Sequence, residues 1–416
     1  MSEELVDHRG RSRIAVTGMG IKCPAGTTLD SVWTTMRAGK STAATIDLFD
    51  AAPLDVRFAC QVPDFDPVDN FGPKEARRQD RVTHQGFAAA ADAIENAGEL
   101  NVDPERCAVV AATGVGGLTT LEENCHIFYE RGPSRVSPFF VPMMMPNATA
   151  GVISMRYGFT GPAFCVSTAC AAGTNAIGEG VRLLRDGSSD VVIAGGTEAF
   201  TAVTVAAFAR MGALSKRNDD PTAASRPFDI DRDGFVIAEG AAFLVLESME
   251  RALARGATIH GEIAGYGRNS DAYHITAPSP GGAGAARCMQ LALDDAGIGP
   301  EDIGHVNAHG TSTPLNDAAE AEALHKVFGD TPPPVTAPKG VLGHMIGGAG
   351  AAEAVISLLV LRDEVLPPTA NLTTIGDDIG LDVVHGAERS INAKPAISNS
   401  FGFGGHNASL VLRRVG

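Results

Sequence analysis

The chain has 416 residues, 44% of them hydrophobic and 20% charged, an ordinary water-soluble composition with room for two or three units. A formal net charge of −16 argues against general nucleic-acid binding, and no uncharged apolar run reaches the roughly 18 residues a membrane span needs. Seven cysteines, an odd count without a C-x-x-C pair, argue against a disulfide framework or a zinc site and for a cytoplasmic protein with reduced thiols.

Residues 1–11 combine charges with no apolar run, which predicts a disordered tail rather than a secretory signal. A buried strand follows over 12–18, then a helix over 28–39. Residues 82–98 have apolar side chains at helical spacing and end in Gly98. Residues 107–117 read as a strand running into glycines, 163–168 as a strand, 170–187 as a helix, and 190–196 and 240–248 as strands. The pattern then restarts: strand from about 261, helix 281–297, strand 303–310, helix 316–329, short strand 335–340, helix 348–365, and two strands around the glycine-rich turn near the end. Alternating strands and helices predict an α/β fold with largely parallel sheets. The similar element order suggests a duplication, with halves at 12–260 and 261–416.

Four stretches carry candidate chemistry. In AFCVSTACAAG, Cys170 falls where a strand gives way to a helix, and a helix start favours a thiolate. Small neighbours leave room for a substrate, although a lone buried cysteine is also compatible with simple packing. Cys165 lies mid-strand and lacks that argument, so it reads as core. In VNAHGTSTPLND, His309 sits where a strand meets a glycine turn, the end at which α/β sheets bind ligands; a structural histidine is the alternative. APKGVLGHMIGGAG places Lys339 and His344 before a glycine-rich helix start, as functional groups or as a surface charge and a cap. NSFGFGGHN has three glycines, for close backbone approach or for a tight hairpin.

Together, in this order, the four stretches resemble the elongating β-ketoacyl-acyl-carrier-protein synthases (synthase I/II class) of the thiolase superfamily. ERGPSRVSPFFVP (130–142) and SRPFDIDRDGFVIAEGA (225–241) extend the likeness over nearly the whole chain. The chain is also similar to ketosynthase subunits of type II polyketide pathways. The resemblance implies an α/β, thiolase-like duplicated αβαβα five-layer sandwich. It implies decarboxylative Claisen condensation of an acyl thioester with a malonyl carrier, lengthening the chain by two carbons in fatty acid biosynthesis. The alternatives are a polyketide ketosynthase paired with a chain-length factor, or an inhibitor-tolerant paralogue of the fatty-acid enzyme.

The resemblance also assigns roles. Cys170 is the nucleophile, His309 and His344 hold the malonyl carbonyl, and Lys339 with the supporting Glu353 orients His309. The amides of Cys170 and Phe401 form the oxyanion hole, and the Phe401 ring is the gatekeeper. Thr311 and Thr313 bind pantetheine, while Val115 and Phe140 line the acyl pocket. The basic stretch with Lys74, Arg77 and Arg78 reads as a docking site for an acidic acyl carrier protein, or as a solvated helix face. The implied assembly is a dimer, homodimeric or heterodimeric with a chain-length factor, with no nucleic-acid or membrane partner. No metal or other cofactor is implied, because phosphopantetheine arrives on the carrier. Two departures stand out: Thr336-Ala337-Pro338 before Lys339, and His406 in GGHN.

Overall fold

The computed structural model describes residues 5–392 and 394–415. Its main sheet draws five strands from each half. The first half supplies β1 (Ile14–Lys22), β2 (Cys107–Ala112), β3 (Ala163–Val166), β4 (Val191–Glu198) and β5 (Gly240–Ser248). The second supplies β6 (Gly261–Ser270), β7 (His305–Asn307), β8 (Val335–Thr336), β9 (Ala396–Gly402) and β10 (His406–Arg413). The spatial order is β3-β2-β4-β5-β1-β6-β10-β9-β7-β8. Counted outward from the central pair, each half reads first, fifth, fourth, second, third. The repeat is thus explicit in the topology. Within each half β2, β3 and β4, or β7, β8 and β9, run parallel, and the remaining pairs are antiparallel. The halves meet where Ile14–Val16 pairs with Gly261–Ile263.

Strands β2, β4 and β5 are buried along nearly their whole length, which explains runs such as CAVVAA and AAFLVL with no polar alternation. The helices that position the site are α1 (Arg81–Ala97), α2 (Leu118–Arg131), α3 (Phe140–Met144), α4 (Ala148–Tyr157), α5 (Ala172–Arg185), α6 (Ala202–Arg210), α7 (Ala283–Ala296), α8 (Pro314–Phe328) and α9 (Ile346–Asp363). Helices α5 and α9 pack on each other between the two half-sheets, α9 touching β4, β5, β9 and β10. α1 covers the outer face of the first half and α7 that of the second, with α8 against α7. These are the five layers of the thiolase-like sandwich.

Glycine permits both kinds of layer contact. A Cβ on Gly18 or Gly20 would meet the Ala93 or Ala89 carbonyl of α1 at 2.1 or 2.0 Å. Gly265 and Gly267 do the same against Ala292 and Cys288 of α7, at 2.2 and 2.1 Å. The repeat therefore extends to the packing of sheet on helix.

Residues 5–11 depart from the expected disordered tail. Residues 1–4 lie outside the described part, but residues 5–11 are fixed on the body rather than disordered. Val6 bridges to Ser12, Arg11 pairs with Asp7, and its Nη1 lies 2.7 Å from Asp295 on α7. Ionic contacts to both halves, Asp7 with Arg185 and Arg11 with Asp295, join the packing of Leu5 against Ala15, Met249 and Ala252. Among the described residues no helix is long and apolar enough to cross a membrane.

Candidate active site

Strand β3 ends at Val166. Ala169 then takes a left-handed backbone (φ 49°), and Cys170 sits in the 3₁₀ turn Ala169–Ala171, just ahead of α5. The sequence expectation of a helix start is met one turn early. The glycine turn between β9 and β10 lies flat against this bend. A Cβ on Gly402 would come within 3.0 Å of the Cys170 amide and the Thr168 carbonyl. The terminal motif is thus both a hairpin and a close backbone approach.

The second half completes the cluster. His309 follows β7, and His344 follows a turn at Gly343 (φ 67°), its amide donating to the Val236 carbonyl at 2.7 Å. The Cys170 sulfur and one nitrogen from each imidazole lie within 4.8 Å of one another, and the rings are 5.3 Å apart. Lys339 is buried. Its Nζ donates to the His309 carbonyl at 2.7 Å, lies 3.2 Å from His309 Nδ1, and pairs closely with the Glu353 carboxylate. An ammonium at Nδ1 leaves the His309 proton on Nε2. In that tautomer Nε2 is a hydrogen-bond donor.

Burial governs the protonation states. It pushes the Cys170 thiol up to about 11, although Lys339 and the amides of Phe403 and Cys170 pull it down. Desolvation therefore outweighs the lowering expected from a helix start. Burial, then Lys339, holds both His309 and His344 well below the ordinary imidazole range, so both are neutral. Burial lifts Glu353 to about 7, with Lys339 opposing.

Cys170, His309 and His344 line one cavity of about 520 Å³. Val115, Thr311, Thr313, Phe401 and Phe403 line it too. The hydroxyls of Thr311 and Thr313 are 2.8 Å apart. Asp317, buried at the start of α8, accepts the Thr311 amide at 2.9 Å. Glu320 accepts the His309 and Gly310 amides, both at 2.8 Å, and so fixes the histidine loop.

Three sequence assignments need correction. The amide that reaches the Cys170 thiol from the glycine turn belongs to Phe403, not Phe401. Phe401 is still in the β9–β10 ladder opposite Asn407, its ring 5.9 Å from His309, whereas Phe403 follows the strand end. The doubled SFGF motif offered both phenylalanines, and only the strand boundary separates them. Phe140 is not among the cavity-lining residues; it opens α3, half-buried, and exposed apolar side chains stand on α3 itself (Val141) and on the helices that touch it (Tyr129 of α2, Met155 of α4). Cys165 is half-buried on the sheet-edge strand β3 rather than in the core.

Of the basic stretch, Lys74 and Arg77 are exposed at the end of the helix Val68–Ala76. Arg78 is engaged with Glu75 (3.0 Å) and lies over the Phe139 ring (4.8 Å). The sequence reading missed Glu198, Asp317, Glu320 and Phe403. Buried acids near the end of strand β4 (GGTE) and in the first turns of α8 (NDAAE) were the available signals.

Comparison with known proteins agrees with this geometry. The beta-ketoacyl synthase N-terminal domain matches residues 11–252, and the beta-ketoacyl synthase C-terminal domain matches residues 260–373. The chain belongs to the β-ketoacyl synthase family. The synthase is 45% identical to a 3-oxoacyl-[acyl-carrier-protein] synthase 2 of Synechocystis, covering 97% of this chain and 98% of that one. Among solved structures it resembles the ishigamide ketosynthase/chain length factor (36% identity, TM-score 0.92, 98% and 100% covered). It also resembles AntDE:AntF, a type II polyketide acyl-carrier protein in complex with its ketosynthase (31%, TM-score 0.90, 98% and 100% covered). The synthase is a condensing acyltransferase. It joins an acyl thioester to the two-carbon unit left when malonyl-acyl carrier protein loses carbon dioxide.

Proposed function

We propose that this synthase elongates fatty acyl chains as a homodimer, with Cys170 carrying the acyl group and His309 and His344 acting as paired N–H donors. The approach of the thiol and both imidazoles within 4.8 Å carries the reading. In the first step the Cys170 sulfur attacks the carrier-bound acyl carbonyl. Its proton ends on the departing pantetheine thiol, and the thioester moves to Cys170. The amides of Cys170 and Phe403 already point at the sulfur, where they meet the developing oxyanion. Removing one such donor costs on the order of 10²–10³ in rate.

Malonyl carrier then enters, its arm held by the hydroxyls of Thr311 and Thr313. Carbon dioxide leaves and its bonding pair forms an enolate. The enolate oxygen accepts hydrogen bonds from neutral His309 and His344, which supply dipoles in a dry site without surrendering a proton. The carbanion attacks the Cys170 thioester, the new carbon–carbon bond forms, and the thiolate leaves. Burial raises that thiol to about 11, so the thiolate readily takes up a proton and the cycle resets. Lys339 positions His309. No step calls for a metal or redox cofactor.

The single chain leaves β3 as an unpaired sheet edge, with exposed Tyr129, Val141 and Met155 nearby. A second copy covering this face explains all of them and gives Phe140 a wall to join. Lys74 and Arg77 then attract an acidic carrier protein. The test is assay of the purified chain alone with acyl and malonyl carriers, alongside its native mass. A homodimer that forms β-ketoacyl carrier supports the reading. Product only with an added cysteine-free partner subunit overturns it in favour of a paired polyketide ketosynthase.

A further inference from the structure

Glu198 is a buried carboxylate with no part in the steps above. It ends β4, and its oxygens gather donors from two segments. Oε2 accepts the amides of Gly114 (2.7 Å) and Gly347 (3.0 Å), while Oε1 accepts the Thr113 hydroxyl (3.0 Å). The first segment is the loop after β2; the second is the opening of α9. Both border the cavity, which Gly114, Val115 and Ile346 line together with Cys170.

Ile346, next to the clamped Gly347, has φ 40°. A β-branched side chain in the left-handed region is strained, and such a residue persists where its surroundings over-determine it. Glu198 supplies that constraint. Ile346 is thereby pressed on the opposite loop: a Cβ on Gly114 would stand 3.0 Å from its Cγ2. Strain kept beside a substrate cavity has a use if the side chain shapes that cavity.

We propose that Glu198 is a positioning residue for acyl-chain selection: by clamping Gly114 and Gly347 to one oxygen it holds Ile346 across the cavity, and Ile346 limits the length of unbranched acyl chain that Cys170 accepts. The inference rests on Cys170 being the acyl acceptor. Glutamine can preserve the clamp, its carbonyl replacing Oε2 and its amide donating to the Thr113 hydroxyl. Alanine leaves two amides without their partner.

The experiment is competitive loading of Cys170 from a mixture of short to long acyl carriers, read as the mass distribution of the protein adduct, with the unfolding midpoint measured in parallel. One methylene in an apolar pocket discriminates by about 10–200-fold. Ile346→Gly should therefore raise the long-to-short ratio by about tenfold or more without lowering the midpoint, since glycine accepts the left-handed backbone. Glu198→Ala should shift the ratio the same way, and Glu198→Gln should restore the wild-type distribution. A folded Ile346→Gly enzyme with the wild-type distribution overturns the inference, and this arm stands even where Glu198→Ala does not fold. A wild-type enzyme that acquires no acyl adduct on Cys170 overturns the underlying reading instead.

Discussion

The two halves of the molecule place the same elements at the same points and fill them with different chemistry. Each has a buried central helix opening on the cavity. Cys170 stands two residues before Ala172 of α5, and His344 two residues before Ile346 of α9. Each also has a loop after its second strand. In the first half that loop is Thr113–Val115, against the acyl cavity; in the second it begins at Ala308 and carries His309, Thr311 and Thr313. Duplication brought two helix starts and two loops to one place, and divergence gave a thiol to one half and donors to the other. Burial acts on both alike: it favours the neutral thiol and the neutral imidazoles. The site is thus built for proton-neutral groups that become charged only in passing.

The sharpest way to break this division is Cys170→Ala. Acyl transfer should fall by at least about 10³-fold, as for loss of a catalytic nucleophile, while slow decarboxylation of malonyl carrier, the work of the second half, continues. Adduct mass and carbon dioxide release measure the two separately. Loss of both at once would mean that the halves do not act independently. The complementary variants are His309→Ala and His344→Ala. Each should lower condensation by about 10²–10³-fold, the effect of one oxyanion donor, and leave Cys170 loading within a few-fold of wild type. Equal losses in loading would place the histidines in the first transfer.

A third experiment addresses the protonation state. With the thiol pushed up to about 11, the thiolate fraction grows as pH rises. Alkylation of Cys170 by a small neutral electrophile should therefore accelerate about tenfold per pH unit over the neutral to mildly alkaline range, without levelling off. A plateau near neutrality would show that the helix start governs the thiol after all.

Much of this was legible in the sequence. The glycine punctuation and the strand runs located all ten strands of the main sheet and the two central helices, because most of these strands, parallel or antiparallel, are buried between helix layers and carry continuous apolar runs. Helices α2, α3, α4 and α6 escaped. α2 buries only Thr120 and Asn124, so it carries no apolar stripe, and α3 is a single short turn. Cys170, His309, Lys339 and His344 were found because each sits at a strand end or helix start marked by glycine. Phe403 was confused with Phe401 because the exact end of a ladder is not encoded in composition. Glu198 was missed because it accepts backbone amides from elements far away in the chain, and Glu320 because nothing in NDAAE tells an acid that accepts the His309 and Gly310 amides from one on a solvated helix face. The ionic anchoring of residues 5–11 was hidden as Glu198 was: its partners, Asp295 and Arg185, lie in α7 and α5.

The smallest effect concerns how the halves share the carrier. The first half offers exposed Lys74 and Arg77, and the second offers Thr311 and Thr313 in the cavity. Charge reversal at Lys74 or Arg77 should raise KM for acyl carrier by about two- to fivefold, as expected for solvent-exposed charge pairs. The same variants should leave KM for a free acyl-pantetheine unchanged. Added salt should raise KM for the carrier in the wild type and less so in the variants, because screening removes what the substitution has already removed. Arg78→Ala should do less than either, since Glu75 and Phe139 already occupy that guanidinium. Thr311→Val should act on both substrates alike, because the arm is common to them. If the lysine and arginine variants weakened free pantetheine as well, the basic helix would be acting on the cavity rather than on the carrier, and the division between a docking half and an arm-binding half would fail.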